Sequence, residues 1–103
     1  MTDANLETGG LDVRHEEGGG RGAFYVEQDG QRMAELTYAR AGRDRVVIEH
    51  TEVSDALRGQ GVARKLVDAA VAWARASRTR VEVRCTYARS VFDRDASLRD
   101  VLA

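Results

Sequence analysis

One cysteine, two histidines and no proline occur among 103 residues, and each scarcity closes off a class of function. Cys85 has no partner within the chain, so no internal disulfide is expected and a reducing cytoplasm is the default setting. With His15 and His50 far apart, no set of His, Cys, Asp and Glu has metal-ligand spacing, so no metal is expected. An excess of charge is missing too. The 16 Lys+Arg against 17 Asp+Glu leave a formal net charge of −1, which argues against a general nucleic-acid binder. No apolar run approaches the ~20 residues that span a bilayer, so a membrane partner is not expected. Met1 to Asn5 lack the basic and apolar regions of a secretory leader. No Gly-x-Ser-x-Gly elbow supports a Ser-His-Asp centre.

What is present fits one soluble domain: 43% hydrophobic and 32% charged residues, in a chain long enough for a single core. Residues 1–10 read as a flexible tail and 11–103 as the domain. Leu11 to His15 alternates weakly as a first strand, and Gly18-Gly19-Gly20 turns the chain. Ala23 to Glu27 is rich in strand formers, and Asp29-Gly30 signals a hairpin before Met33 to Tyr38. Ala41 to Asp44 marks another turn before the longest strand, Arg45 to Val53. Beyond it the period changes. Val62, Leu66, Ala70, Trp73 or Ala74, and Ser77 recur at helical spacing, which predicts a helix over Gln60–Arg78 with that stripe in the core. Arg80 to Cys85 alternates again, so strand, helix and strand form a crossover with parallel strands. Thr86 is placed to cap a short helix over Tyr87 to Asp93, and Ser97-Leu98-Arg99-Asp100 has a capping-box-like spacing. The fold class is α+β: a mixed, mostly antiparallel sheet of about five strands, one long helix and short C-terminal helices.

The most informative stretch is Arg58-Gly59-Gln60-Gly61-Val62-Ala63, between the longest strand and the long helix. Glycine lets backbone approach a ligand closely, and a helix start aims unpaired N–H groups at whatever sits there. Such a place holds an anion, above all a phosphate. Neither phosphate motif that begins this way is complete. No Ser or Thr follows Lys65, as a Walker loop requires, and Arg64 stands where a dinucleotide fingerprint has its third glycine.

The hexapeptide does resemble Gln/Arg-x-x-Gly-x-Gly/Ala, the pyrophosphate signature of the GNAT superfamily of acetyl-CoA-dependent N-acetyltransferases. With Phe24-Tyr25-Val26, Ala34 to Tyr38, His50-Thr51-Glu52-Val53 and Cys85-Thr86-Tyr87, nearly the whole chain is similar to its small single-domain members, the YjdJ type. The resemblance implies a GNAT-like fold in which the strand before the loop splays from the strand after the helix, with coenzyme A in the gap. Thr51, Glu52 and Val53 would then offer backbone groups to pantetheine. Arg58, Gly59, Gln60, Gly61, Val62, Ala63 and Arg64 would cradle the pyrophosphate. It also implies an acetyl group moved from acetyl-CoA, as co-substrate, to a small-molecule or peptide amine. Two family features are absent. Only the Gly18 to Gly22 turn stands where longer members carry helices that shape an acceptor site. The familiar Asn and Tyr of the last helix are replaced by Tyr87 and by Phe92 and Arg94.

Several residues keep competing readings. Cys85 is a buried core residue, an acid beside the thioester, or an acetyl carrier that would need a thiolate. His50 is a general base for an ammonium acceptor or a hydrogen-bonded sheet histidine. Alternation along the strand places His50 with Ile48 and Glu52, and Thr51 opposite. Tyr87 shares with Cys85 the candidacy for general acid. Glu49 and Glu52 could act as bases through water, and His15 reads as a surface residue. The activity expected is direct attack of an amine on acetyl-CoA, with a monomer favoured. A ping-pong route through acetyl-Cys85, a non-catalytic CoA- or acyl-CoA-binding module and a nucleotide-phosphate binder are the alternatives.

Overall fold

Antiparallel pairing begins with β1 (Val13–Gly18) and β2 (Arg21–Gln28) and continues through β3 (Gln31–Gly42) and β4 (Arg45–Val53) in the computed structural model, which describes residues 11–103. The tail read over residues 1–10 lies outside the described residues. Local chemistry sets the turns. Asp29 and Gly30 have φ of 52° and 78°, the two positive values that a two-residue hairpin turn demands and that Asp-Gly tolerates well. After β4 come a short 3-10 turn (Asp55–Leu57), helix α1 (Val62–Ser77) and β5 (Arg80–Val83). β5 joins the sheet parallel to β4, giving the order β1-β2-β3-β4-β5. Helix α2 (Thr86–Arg94) and a 3-10 segment (Ala96–Val101) follow, and Leu102 bridges to Val81.

Five strands, one parallel pair and one long helix agree with the α+β expectation, with local corrections. β1 starts at Val13 and runs to Gly18. α1 starts at Val62 because Gly61, in the left-handed conformation, occupies its N-cap position. Thr86 is the first residue of α2, and Cys85 stands at the cap with no side-chain bond. Ser97 is not the last cap either: the Asp95 carboxylate accepts from both its N–H and its hydroxyl.

The helices cover one face of the sheet. Phe24, Val26, Leu36, Tyr38, Val46 and Ile48 share a core with Val62, Leu66, Val67, Ala70, Val71 and Ala74 of α1 and with Ala88, Val91 and Phe92 of α2. Trp73 is only half-buried and Ser77 is exposed, so Ala74 completes the helical stripe. Ala23 and Val47, of opposite parity, are buried but lie outside this core. They belong to the other face, which carries Tyr25, Glu35, Thr37 and the arginines that pair with them and their neighbours. That second face has no helix packed on it among the described residues.

Candidate functional site

At the end of β4 the Ser54 hydroxyl accepts the Ala56 N–H at 3.3 Å and starts the 3-10 turn. Leu57, buried, anchors that turn in the core. The chain then leaves at Arg58, and Gly59 and Gly61 take φ of 82° and 71°. No atom lies within 4 Å of where a Cβ would stand at either glycine. The first helical amide with a partner is Lys65, which donates to the Gly61 carbonyl at 3.1 Å. The N–H groups of residues 59–64 have no hydrogen-bond partner among the described residues. Six consecutive unpaired donors at the positive end of a helix suit a diphosphate, whose oxygens accept and whose charge the dipole favours.

Around these amides lies a cavity of about 170 Å³, bounded by Val53, Leu57, Arg58, Gly61, Val62, Arg64 and Tyr87 among others. Arg58 is exposed and, among the described residues, pairs with the still more exposed Asp55 alone, a solvent-screened pairing that a diphosphate can displace. Arg64 is committed elsewhere. Its guanidinium donates to Asp68 at 2.8 Å and to Asp95 at 2.6 Å, tying α1 to the C-terminal segment. Arg64 therefore offers the cradle its backbone N–H rather than its charge. The Ser97 hydroxyl first, and then Arg64, hold the Asp95 carboxyl below its ordinary value.

The sheet opens beside the cradle. β4 pairs with β5 only from Arg45↔Arg80 to Ile48↔Val83. The Ile48 carbonyl then receives both the Arg84 and the Cys85 N–H, at 2.9 and 3.3 Å. This convergence ends the ladder, and from Glu49 to Val53 β4 is paired with β3 alone. The edge left free is a template on which an extended amide-bearing chain can bond as an added strand. Across the opening the Cys85 thiol donates to the Thr51 hydroxyl at 3.3 Å.

A bulge decides which side chains flank the gap. Thr37 pairs with His50 and Tyr38 with Ile48, so Glu49 is an extra residue on β4. An extra residue shifts the alternation by one. Thr51, bonded to Cys85, therefore shares the helix-covered side with Ile48, whereas His50 and Glu52 are exposed on the other face. This corrects the uniform alternation that put His50 on the same side as Ile48. Glu49 itself is pinned by Arg21 at 2.5 Å.

The structure thus gathers Val53, Arg58, Gly59, Gly61 to Arg64 and Tyr87 around one cavity and joins Thr51 to Cys85, whereas Gln60 does not line that cavity and its side-chain amide donates to the Ala56 carbonyl at 3.5 Å. It does not bring His50, Cys85 and Tyr87 together: His50 lies on the uncovered face, Cys85 is buried, and Tyr87 lines the cradle from α2. Sequence reasoning missed the bulge and the uncovered face. The only local hint of the bulge was a run of four charged or polar residues after Ile48, Glu49 to Glu52.

Residues 23–101 match the family described as GCN5-related N-acetyl-transferase. Protein NATD1 of Bos taurus is 37% identical over 79 residues, which are 76% of this chain and 70% of that protein. A GCN5-like protein of Staphylococcus aureus, assigned as an N-acetyltransferase and solved by NMR, is 32% identical with a TM-score of 0.68, covering 90% of this chain and 88% of its own. An aminoglycoside N-acetyltransferase solved in complex with CoA superposes with a TM-score of 0.56 over 84% of this chain and 89% of its own. At 17% identity that likeness concerns the fold alone.

Proposed function

The chain belongs to the GCN5-related N-acetyltransferase family, and from that premise we propose that it transfers acetyl from acetyl-CoA to an amine by direct attack, without an acyl-enzyme. The observation that carries this reading is the run of unpaired amides at residues 59–64, placed where β4 leaves β5. A diphosphate on those amides sends the pantetheine arm along the free edge of β4 towards Cys85. The thioester then lies between the helix-covered side and the uncovered face, and the amine arrives from the latter.

In this mechanism His50 takes a proton from the incoming ammonium, directly or through a water. The amine nitrogen bonds to the acetyl carbon, and the carbonyl electron pair moves to oxygen. A backbone N–H of the Thr51–Val53 segment stabilises that oxyanion, an effect of ~3 kcal/mol in comparable acyl transfers. The carbon–sulfur bond breaks as the carbonyl reforms, the nitrogen gives up its second proton to water, and the departing CoA thiolate takes a proton from Tyr87, which recovers one from solvent. Cys85 is a packing residue in this scheme, since it is buried and its thiol is engaged by Thr51.

The test is steady-state turnover with acetyl-CoA and an amine panel, paired with intact-mass measurement after acetyl-CoA alone. Direct attack requires that Cys85→Ala turn over near the parent rate and that the protein gain no 42 Da adduct. A transient acetyl adduct lost with the Cys85 thiol would replace direct attack by the ping-pong route. Saturable acetyl-CoA binding with no transfer to any amine would leave a binding module.

A further inference from the structure

The uncovered face of the sheet carries charge in a definite pattern. Register sets Glu52 of β4 directly opposite Glu35 of β3, and Glu35 opposite Tyr25 of β2. Two residues back along β4, His50 stands opposite Thr37, which stands opposite Ala23. Like charges directly across a ladder are unfavourable, and this pair is only half offset. Arg32 lies 3.8 Å above the Tyr25 ring and reaches both Glu16 and Glu35, each at 3.2 Å. One guanidinium thus serves two carboxylates, and Glu52 has no basic partner among the described residues. Arg58, which lines the same depression, is paired with Asp55.

Arg32 also divides two depressions on this surface, of about 650 Å³ beside Glu35 and Glu52 and about 480 Å³ above Ala23 and Thr37. The ring and two carboxylates that hold Arg32 show which chemistry the surface accepts: a cation with an aromatic face below it and carboxylates beside it. The vacant half of that arrangement, Glu52 against Glu35, is two strand residues or ~7 Å from His50.

We propose that this uncovered face is the acceptor surface and that Glu35 and Glu52 select amines carrying a second positive charge ~7 Å from the reacting nitrogen. The inference rests on the acetyltransferase mechanism above. Its chemical logic is that the attacking nitrogen must be neutral. A monoamine therefore reaches the transition state with no charge left for the carboxylates to hold, whereas a diamine keeps its second ammonium. The same chemistry is available from a free diaminoalkane or from a lysine beside another basic residue in a peptide.

The experiment compares kcat/KM at saturating acetyl-CoA for diaminoalkanes of ~3 to 6 carbons, n-alkylamines of equal length, and lysine peptides with and without a neighbouring arginine. Diamines, or the arginine-flanked peptides, are expected to exceed their singly charged counterparts by ~5-fold, the kinetic size of an exposed ion pair. Glu35→Gln should bring that ratio near one, as should high salt, with the KM for acetyl-CoA unmoved. Glu52→Gln should act in the same direction. Equal rates for mono- and diamines, or a ratio that ignores Glu35→Gln, overturn the inference and leave the acetyltransferase reading standing. If acetyl-CoA binds and no amine is acetylated, the mechanism itself fails. The surface is then judged by diamine titration of the acetyl-CoA-loaded protein, where binding that Glu35→Gln does not weaken overturns it as well.

Discussion

Gly22 lies so close under the ring of Tyr38 that no side chain fits between them. A Cβ at position 22 would stand 2.7 Å from Cε2 of Tyr38 and nearer still to Cζ and the hydroxyl. Tyr38 cannot give way. It is 1% exposed, with Phe24 and Trp73 rings against it at centroid distances of 5.8 and 5.3 Å. Gly22→Ala is therefore expected to destabilise by ~1–3 kcal/mol, the usual cost of overpacking a filled core. For a domain of this size each kcal/mol lowers Tm by about 4–8 °C, which calorimetry resolves. An unchanged Tm would mean that the β2–β3 pair opens more easily than this packing allows.

His15, which sits against the Tyr38 hydroxyl, makes stability depend on pH. His15, although exposed as a residue, stacks its ring on Phe24 at 4.1 Å and places Nε2 2.6 Å from that hydroxyl. Burial holds the His15 imidazole below its ordinary value, with the Glu17 carboxylate working the other way. Burial, helped by the Glu17 charge, pushes the Tyr38 phenol up to about 12, so it stays protonated near neutrality. Because the folded protein disfavours His15 protonation, the unfolded chain takes up the proton first as pH falls through ~6.5. The His15 contribution is thus complete above that pH and is lost below it, down to the folded value. Urea midpoints of the parent should drop between pH ~7.5 and ~5.5, and those of His15→Gln should drop less. The carboxyls of Glu17, Asp95 and Asp100, all held below their ordinary values by their partners, titrate lower still and leave this window clear.

The strands and the glycine-bearing turn before α1 were legible because short-range chemistry dictates them. Asp29-Gly30 needs only its own backbone angles, and the 58–63 loop announces itself because bare backbone at a helix start requires glycine there. The bulge at Glu49 is different in kind. It is defined by how β3 counts against β4, and no property of Glu49 or His50 alone reveals a skipped pairing. From that one shift came the misplaced side of His50. The commitment of Arg64 to Asp95, 31 positions away, was hidden for the same reason. The uncovered face was hidden too, since which side of a sheet the helices cover is decided by packing rather than by strand pattern.

Ligand binding should fail at the glycines before it fails at the arginines. Gly61 has φ of 71° with open space where a side chain would go, so Gly61→Ala meets no clash but strains the backbone by ~1 kcal/mol. A strained cap tilts the amides of Val62, Ala63 and Arg64 away from a common focus. The KM for acetyl-CoA is expected to rise ~10-fold, and the CoA-induced rise in Tm should shrink with it. Arg58→Ala, which removes a screened surface charge, should raise KM only a few-fold and lose that effect at high salt. Larger losses for Arg58→Ala than for Gly61→Ala would mean that side-chain charge, and not backbone, holds the pyrophosphate.

The roles assigned to His50, Tyr87 and Cys85 separate kinetically because the three lie in different places. His50→Gln leaves the cradle untouched, so kcat should fall ~10²-fold with the KM for acetyl-CoA preserved. Tyr87→Phe keeps the ring against the cradle and removes only the hydroxyl. Its kcat should fall ~10-fold or more, again with little change in that KM. Cys85→Ala removes a small group that is 8% exposed and should cost about 1 kcal/mol of stability with kcat near the parent value. The Thr51 hydroxyl, losing its sulfur partner, turns to the open edge. If Cys85→Ala abolished turnover while remaining folded, Tyr87→Phe did nothing and the parent protein gained no acetyl adduct, the proton for the leaving thiolate would have to come from the thiol across the gap.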